Sequence, residues 1–121
     1  MILTRPARQE DVEALHPEVA GISYRAWVAE LDGQPTGVIG LALTRPRACL
    51  FCGFKEELRP HLKTMPVLRL LKKVETMFKA RGLPVFALRD KNEPEAGALL
   101  ERMGFEYFGE VDGDDVYRWG D

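Results

Sequence analysis

A long amphipathic segment lies between two short apolar runs, and this arrangement constrains the fold more than any other feature of the sequence. Residues 64–82 carry apolar side chains at helical spacing, begin at Thr64 and end at Gly82, which predicts one long helix. The apolar runs at 48–54 and 85–88 are short enough to be buried strands. Strand, helix and strand in this order form a parallel crossover unit, so the chain must contain a sheet that helices cover.

The other elements follow from alternation, helical spacing and turn residues. In chain order we predict a strand at 2–5, a helix at 9–15, one more helical turn at 18–23, strands at 25–31, 36–43 and 48–54, the long helix, a strand at 85–88, a helix at 93–103, and strands at 105–111 and 116–119. Gly33 and Gly113 each supply the positive φ of a hairpin turn. The fold class is therefore α/β (α+β), a mixed central sheet of about 6–7 strands flanked by helices, in the order β-α-β-β-β-α-β-α-β-β.

Length and composition indicate one globular domain over residues 1–121, with 45% hydrophobic and 30% charged residues. No apolar run is long enough for a membrane span, and no signal peptide is evident. Two cysteines are too few for a disulfide scaffold or a zinc site, so no metal is expected. We therefore expect a cytoplasmic protein, or one packaged directly from the cytosol, that spans no membrane. Its net charge of −2 gives no reason to expect nucleic-acid binding.

Two local features leave alternatives open. The segment 59–81 contains seven basic residues and one acidic residue, Glu75, so it either faces phosphates or forms a solvated helix face. Cys49 and Cys52 match a C-x-x-C pattern, but residues three apart on a strand point to opposite faces. We interpret them as buried strand cysteines rather than as a redox pair, which requires a helix N-terminus.

The order of elements, with four local stretches, resembles the acyl-CoA N-acyltransferase (GNAT) superfamily. These stretches are residues 2–7 with Glu10 and Asp11, the hairpin at 27–41, the late helix running into Gly104-Phe105, and the final hairpin at 109–119. The resemblance covers nearly the whole chain. It implies acetyl-CoA or CoA as the cofactor, and pairing of the pantetheine arm with the strand near 51–54, which places Phe51, Cys52 and Gly53 at the cofactor.

The resemblance also implies a phosphate-binding turn at the start of the long helix. In the superfamily this turn carries a basic residue and two glycines, whose amides and close backbone approach hold the pyrophosphate. Here Lys63 matches the basic position, whereas Pro66 and Leu68 occupy the glycine positions. A proline has no amide to donate. We expect Thr64 to be the N-cap, its hydroxyl accepting from free amides of the first helical turn.

The resemblance also implies positions for the catalytic groups of the superfamily. The tyrosine that often serves as general acid corresponds to Leu100. Tyr107 and Tyr117 are interpreted as core or surface aromatics. Asn92 resembles a common cofactor-contacting asparagine, with helix capping as its alternative. The weak candidates for the general base are Glu56 and His61, with Glu30 and Glu57 possible on position alone.

Three functions remain open on the sequence. The first is an N-acyltransferase that moves acetyl from acetyl-CoA to a small-molecule or protein amine, with an atypical or lost cofactor site. The second is a non-catalytic GNAT-fold protein, such as a phage or prophage morphogenesis component with virion proteins as partners, because small members of that kind also lack the glycine pair. The third is a sensor that binds CoA without turnover. A homodimer is possible in each case.

Overall fold

A computed structural model of the chain describes residues 1–15, 21–43, 48–82, 84–89 and 96–120. The elements are β1 (Ile2–Pro6), α1 (Gln9–Leu15), β2 (Tyr24–Leu31), β3 (Gln34–Ala42), β4 (Ala48–Phe54), a 3₁₀ helix (Glu56–His61), α2 (Met65–Ala80), β5 (Val85–Arg89), α3 (Ala96–Arg102), β6 (Glu106–Val111) and β7 (Asp114–Trp119). Apart from the 3₁₀ helix, which was not predicted, this sequence of strands and helices matches the predicted order.

The seven strands form one sheet in the order β1-β2-β3-β4-β5-β7-β6. Strands β4 and β5 are parallel, and every other neighbouring pair is antiparallel. The single parallel pair is joined by α2, as the crossover unit requires. The predicted mixed sheet of about 6–7 strands is therefore confirmed.

The two faces of the sheet carry separate apolar clusters. Helices α2 and α3 pack on one face, where Phe78 and Val74 of α2 are fully buried against Leu41 of β3 and Val85 of β5. On the other face, Val12 of α1 packs with four strand residues, Val28, Val38, Ala42 and Phe51. The alternation of Trp27 and Val28 between the two clusters shows why β2 is apolar on both sides.

Both predicted hairpin turns are present, and each uses two residues with positive φ. In the first turn Asp32 has φ 51° and Gly33 has φ 85°, and in the second Asp112 has φ 52° and Gly113 has φ 84°. An aspartate tolerates this left-handed region better than most residues with a side chain. The turn chemistry therefore rests on both residues of each Asp-Gly pair rather than on glycine alone.

Some predicted boundaries differ from the observed ones. Residues 16–20 lie outside the described part of the chain, and Gly21, with φ 83°, begins a turn that leads into β2. The helical turn predicted at 18–23 is therefore wrong at 21–23, because this backbone conformation is not helical. Residues 93–95, predicted as the first turn of the late helix, also lie outside the described residues.

The prediction that both cysteines are buried is wrong. Cys49 and Cys52 point to opposite faces of β4, as expected for a strand, but both are exposed. Phe51, two residues after Cys49, packs with Val12 of α1, whereas Cys49 belongs to neither apolar cluster of the described residues. Cys52 lies on the α2 and α3 side, where it borders an open cleft.

In the described part of the chain, no helix is both long and apolar enough to cross a membrane.

Candidate functional site

The parallel strands β4 and β5 diverge part-way along their length. They pair only at Ala48–Val85, Cys49–Phe86 and Leu50–Ala87. Beyond this point β4 stays in register with β3 up to Phe54, whereas β5 stays in register with β7 up to Arg89. A V-shaped gap therefore opens in the sheet after Leu50, and ligands of open α/β sheets bind at such carboxyl ends of strands.

A cleft of about 470 Å³ occupies this gap. Its walls are the second half of β4, the residues just before α2, the middle of β5, and one side of α3. The volume lies within the range of small-molecule sites. We refer to this cavity as the β4–β5 cleft.

The structure brings together four of the five residues that the resemblance placed at the cofactor. Phe51, Cys52, Gly53 and Lys63 all line the β4–β5 cleft. The Phe51 ring packs on the opposite face of the sheet, edge-on to Tyr24 at 6.0 Å between ring centroids, so Phe51 offers the cleft its backbone only. Asn92 lies outside the described residues.

The start of α2 differs from a glycine-rich phosphate turn. Thr64 is the N-cap residue, but its hydroxyl donates to the carbonyl oxygen of His61 at 2.7 Å instead of accepting from the helix. The prediction of a side-chain cap is therefore wrong, because the end of the 3₁₀ helix supplies a nearer partner. Pro66 is the second helical residue and has no amide, while the Leu68 amide already bonds to the Thr64 carbonyl at 2.9 Å.

These contacts limit how many donors the helix start presents. Of the first three helical residues, only Met65 and Val67 carry an amide that has no acceptor within the helix. A pyrophosphate at this position would depend mainly on the charge of Lys63, which is exposed at the edge of the β4–β5 cleft. The donor set thus fits a phosphate less well than a glycine turn does.

The rest of the basic segment is largely engaged elsewhere. On α2, Glu75 forms ion pairs with Lys72 at 3.0 Å and Lys79 at 3.1 Å. The Lys73 ammonium lies 5.3 Å from the centroid of the Trp27 ring. Of the seven basic residues between 59 and 81, Lys63 alone lines the cleft. This arrangement favours a solvated helix face for α2, with one cation left at the cleft.

Neither weak candidate for the general base lines the β4–β5 cleft. Glu56 is exposed and accepts two hydrogen bonds from Arg59, both at 3.0 Å, and these bonds lower the pKa of the Glu56 carboxyl. His61 is the last residue of the 3₁₀ helix and is half-buried.

The two further carboxylates are also placed away from the cleft. Glu30 accepts a hydrogen bond from Arg5 at 2.7 Å on the other side of the molecule, and Glu57 is exposed on the 3₁₀ helix. Tyr117 is a core residue and Tyr107 is exposed, so their interpretation as core or surface aromatics is confirmed. No described residue that lines the cleft is a carboxylate or a histidine.

Sequence reasoning missed three residues that shape the cleft. Arg102, the last residue of α3, adds a second cation to its wall. The small side chains of Ala87 and Ala96 leave the space open between β5 and α3. Arg102 lies two residues before Gly104-Phe105. Its closeness to that motif is the sequence feature that could have identified it. No pattern along the chain marked the alanines.

Within the described ranges, no group of three or more candidate metal ligands is present.

The sequence matches no protein-family model and no curated protein. Solved structures do match over nearly the full length. The PaiA N-acetyltransferase from Thermoplasma acidophilum, in complex with coenzyme A, superposes with a TM-score of 0.70 at 16% identity, covering 100% of this chain and 99% of that one. This chain has the GNAT fold. The predicted fold class, and the resemblance in fold on which it rested, are thereby confirmed.

Two further GNAT-fold structures agree with this assignment. The IAA acetyltransferase from Bacillus cereus ATCC 14579 has a TM-score of 0.68 at 18% identity, covering 98% of this chain and 97% of that one. An acetyltransferase of the GNAT family from Staphylococcus aureus Mu50 has a TM-score of 0.66 at 14% identity, with 98% of both chains covered. At such identities the likeness establishes the GNAT fold and assigns no role to any residue.

Proposed function

We propose that this protein is an N-acyltransferase that binds acyl-CoA in the β4–β5 cleft and transfers the acyl group to an amine of a small molecule or a protein. The divergence of β4 and β5 after the Leu50–Ala87 pair carries this proposal, because it opens a cleft of about 470 Å³ at the carboxyl ends of the strands. The complex of the structurally similar PaiA N-acetyltransferase with coenzyme A supports the choice of ligand.

The distribution of charge and apolar surface supports the same ligand. The cleft is lined mainly by apolar residues, and among the described residues its cationic side chains are those of Lys63 and Arg102. A ligand with a long, weakly polar arm and an anionic end matches this pattern. The arm would lie along Cys52 and Gly53, with the phosphates near Lys63 at the start of α2. Bound acyl-CoA would supply the activated acyl group.

The chain's own residues suit positioning better than proton transfer. Leu100 occupies the place of a general acid and has no proton to donate, and no described cleft-lining residue offers a carboxylate or imidazole as base. The cleft would therefore bring the thioester and the amine together and exclude water. The rate of transfer should then rise with pH until the acceptor amine itself is deprotonated.

The two cysteines of β4 provide a direct test of where the ligand binds. Cys52 borders the cleft, whereas Cys49 is exposed on the opposite face of the same strand. We expect acetyl-CoA at ten times its Kd to slow the alkylation of Cys52 by iodoacetamide about tenfold, in proportion to occupancy. The rate at Cys49 should not change. Peptide mass spectrometry reports both rates in one sample, and acetyl-CoA has no free thiol to consume the reagent.

Charge variants at one position test the anionic end of the ligand. Lys63→Glu should weaken acetyl-CoA binding about tenfold or more in isothermal titration, because a repulsive charge replaces an attractive one. Lys63→Arg keeps the charge and is the matched control. Equal alkylation of Cys52 with and without millimolar acetyl-CoA, together with no titration heat, would rule out the proposed cleft.

A non-catalytic role for the same cleft is the second candidate. Pro66 and Leu68 at the start of α2 and Leu100 on α3 favour it, since together they reduce phosphate donors and remove a proton donor. Acetyl-CoA would then protect Cys52, yet a panel of primary amines would release no CoA thiol. Thiol release that depends on the amine would instead establish the transferase.

A further inference from the structure

The narrow end of the β4–β5 cleft is entirely apolar in the described part of the chain. The strands meet at Leu50 and Ala87, and Leu100 of α3 and Met103, the residue after α3, cover this point. All four side chains are buried, with exposures between 3% and 8%. An apolar cavity of this kind holds water poorly and favours an apolar group.

The four side chains at this end carry no polar group. Lys63 stands before α2, at the wide end beyond Phe54, and Cys52 lies two residues along β4 from Leu50. Arg102 precedes Met103 in the chain and is exposed on the cleft wall. A ligand whose phosphates lie at Lys63 and whose arm follows β4 therefore directs its far end towards Leu50 and Ala87. The group at that end is the acyl group.

Further apolar space adjoins the wide half of the cleft. A smaller void of about 40 Å³ lies beneath the first turn of α2, walled by Leu58, Val67 and Leu70. It adjoins the main cleft, because both are lined by Ile39, Cys52, Gly53, Phe54, Leu62 and Leu99. Its volume is comparable to the roughly 30 Å³ that one water or a small group takes up. The main cleft stays open because residues 87 and 96 are alanines.

We infer that the preferred donor carries an unbranched aliphatic acyl chain longer than acetyl, in the range from butyryl to octanoyl. This inference rests on the proposed function and names the substrate class of the same cleft. Burying each additional methylene against Leu50, Leu100 and Met103 should tighten binding about fourfold. Many GNAT proteins carry a tyrosine at the position of Leu100. Its phenol would occupy part of this space, whereas Leu100 leaves that part free for the acyl chain.

The decisive experiment is a titration series with acetyl-, butyryl-, hexanoyl- and octanoyl-CoA, each below its micellar concentration and without an acceptor. We expect Kd to fall about fifteenfold for each two-carbon step until the cleft is full. The same Kd for all four donors, or weaker binding of longer chains, would overturn the chain-length inference and leave the proposed function standing. Absence of binding by all four would overturn both.

Variants that fill the narrow end provide the second arm of the test. Ala96→Leu adds three carbons to the cleft wall, and Leu100→Tyr adds a phenol at the covered end. Either variant should weaken octanoyl-CoA binding about tenfold more than it weakens acetyl-CoA binding, because only the longer chain reaches the filled space. Ala80→Leu, an exposed change on α2, is the matched control and should change neither. Circular dichroism identifies any variant that misfolds, and the other variant then decides. Unchanged octanoyl-CoA affinity in a folded variant would contradict the inference.

Discussion

A carboxylate near the N-terminus, Asp11, joins three parts of the chain. It accepts hydrogen bonds from Arg5 at 2.8 and 3.2 Å and from the Arg8 amide at 2.8 Å. The bond from the Arg8 amide resembles half of a capping box. Arg8 is the residue before α1, and Asp11 is the third residue of that helix. Arg5 also binds Glu30 of β2 at 2.7 Å. This network explains why a charged side chain is only 6% exposed.

The Asp11 network makes stability depend on pH. Hydrogen bonds from Arg5 lower the pKa of the Asp11 carboxyl below its usual value. A lowered folded-state pKa contributes stability above the unfolded pKa of about 4, and this contribution is lost as the pH falls through the folded value. Asp11→Asn should cost about 1–3 kcal/mol at pH 7 and progressively less in acid.

Urea unfolding at a series of pH values from 7 down to 2 tests this prediction. Glu10→Gln, an exposed change on the same helix, is the control and should keep the pH dependence of the parent. If Asp11→Asn retained the full acid-dependent loss of stability, the network would not be its source.

At the scale of elements, β3 depends on two glycines at which neighbouring parts approach its backbone. A Cβ at Gly40 would lie 2.5 Å from the Arg25 carbonyl oxygen and 2.7 Å from the end of the Phe51 ring. A Cβ at Gly37 would lie 2.5 Å from a terminal methyl carbon of Leu58. The first site is bounded by backbone, whereas the second faces a flexible side chain.

We therefore expect different costs for the same substitution at two positions of one strand. Gly40→Ala should destabilise the protein by about 3 kcal/mol, because β2 or Phe51 must move. Gly37→Ala should cost about 1 kcal/mol or less, since Leu58 can change rotamer. Thermal and urea unfolding of both variants measure the difference. Equal losses of stability in the two variants would show that the backbone of β2 moves as readily as the Leu58 side chain.

The divergence of β4 from β5 is also a property of elements. Strand β4 has seven residues, of which three pair with β5. On its other edge, β4 remains paired with β3 as far as Phe54. Because each strand follows a different neighbour after Leu50, the cleft is held open by the rest of the sheet rather than by a ligand.

At the scale of the whole molecule, the single sheet is shared by both apolar clusters. Val28 of β2 and Phe51 of β4 belong to the α1 face, and Trp27 and Leu50 of the same strands belong to the other face. Loss of one cluster therefore removes the strands that support the other. We predict that residues 1–121 unfold as one cooperative domain, with an enthalpy of about 85 kcal/mol near 60 °C.

Differential scanning calorimetry checks this cooperativity. The calorimetric and van't Hoff enthalpies should agree, and circular dichroism and Trp fluorescence should give one midpoint. Two separate transitions, or an enthalpy ratio well away from one, would indicate that the faces unfold independently.

Local patterns predicted most of the fold because each depends on neighbouring residues. The spacing of Val67, Leu70, Val74 and Phe78 identified α2, and the Asp-Gly pairs located both hairpin turns. The predictions that failed depend on distant parts of the chain. Burial of Cys49 depends on which parts of the chain pack on its face of β4, and the cap at Thr64 depends on where the 3₁₀ helix ends.

For the candidate site, the sequence by itself determined the residue types: Lys63 before α2, Pro66 and Leu68 in place of glycines, and Leu100 in place of a phenol. Only the tertiary structure decided that Lys63 and Cys52 share one cleft with Ala87 and Ala96, while Glu56 and His61 do not line it. The physical reason is that a cleft is the space left between elements. Its walls depend on how β4, β5 and α3 diverge, and no pattern along one element contains that information.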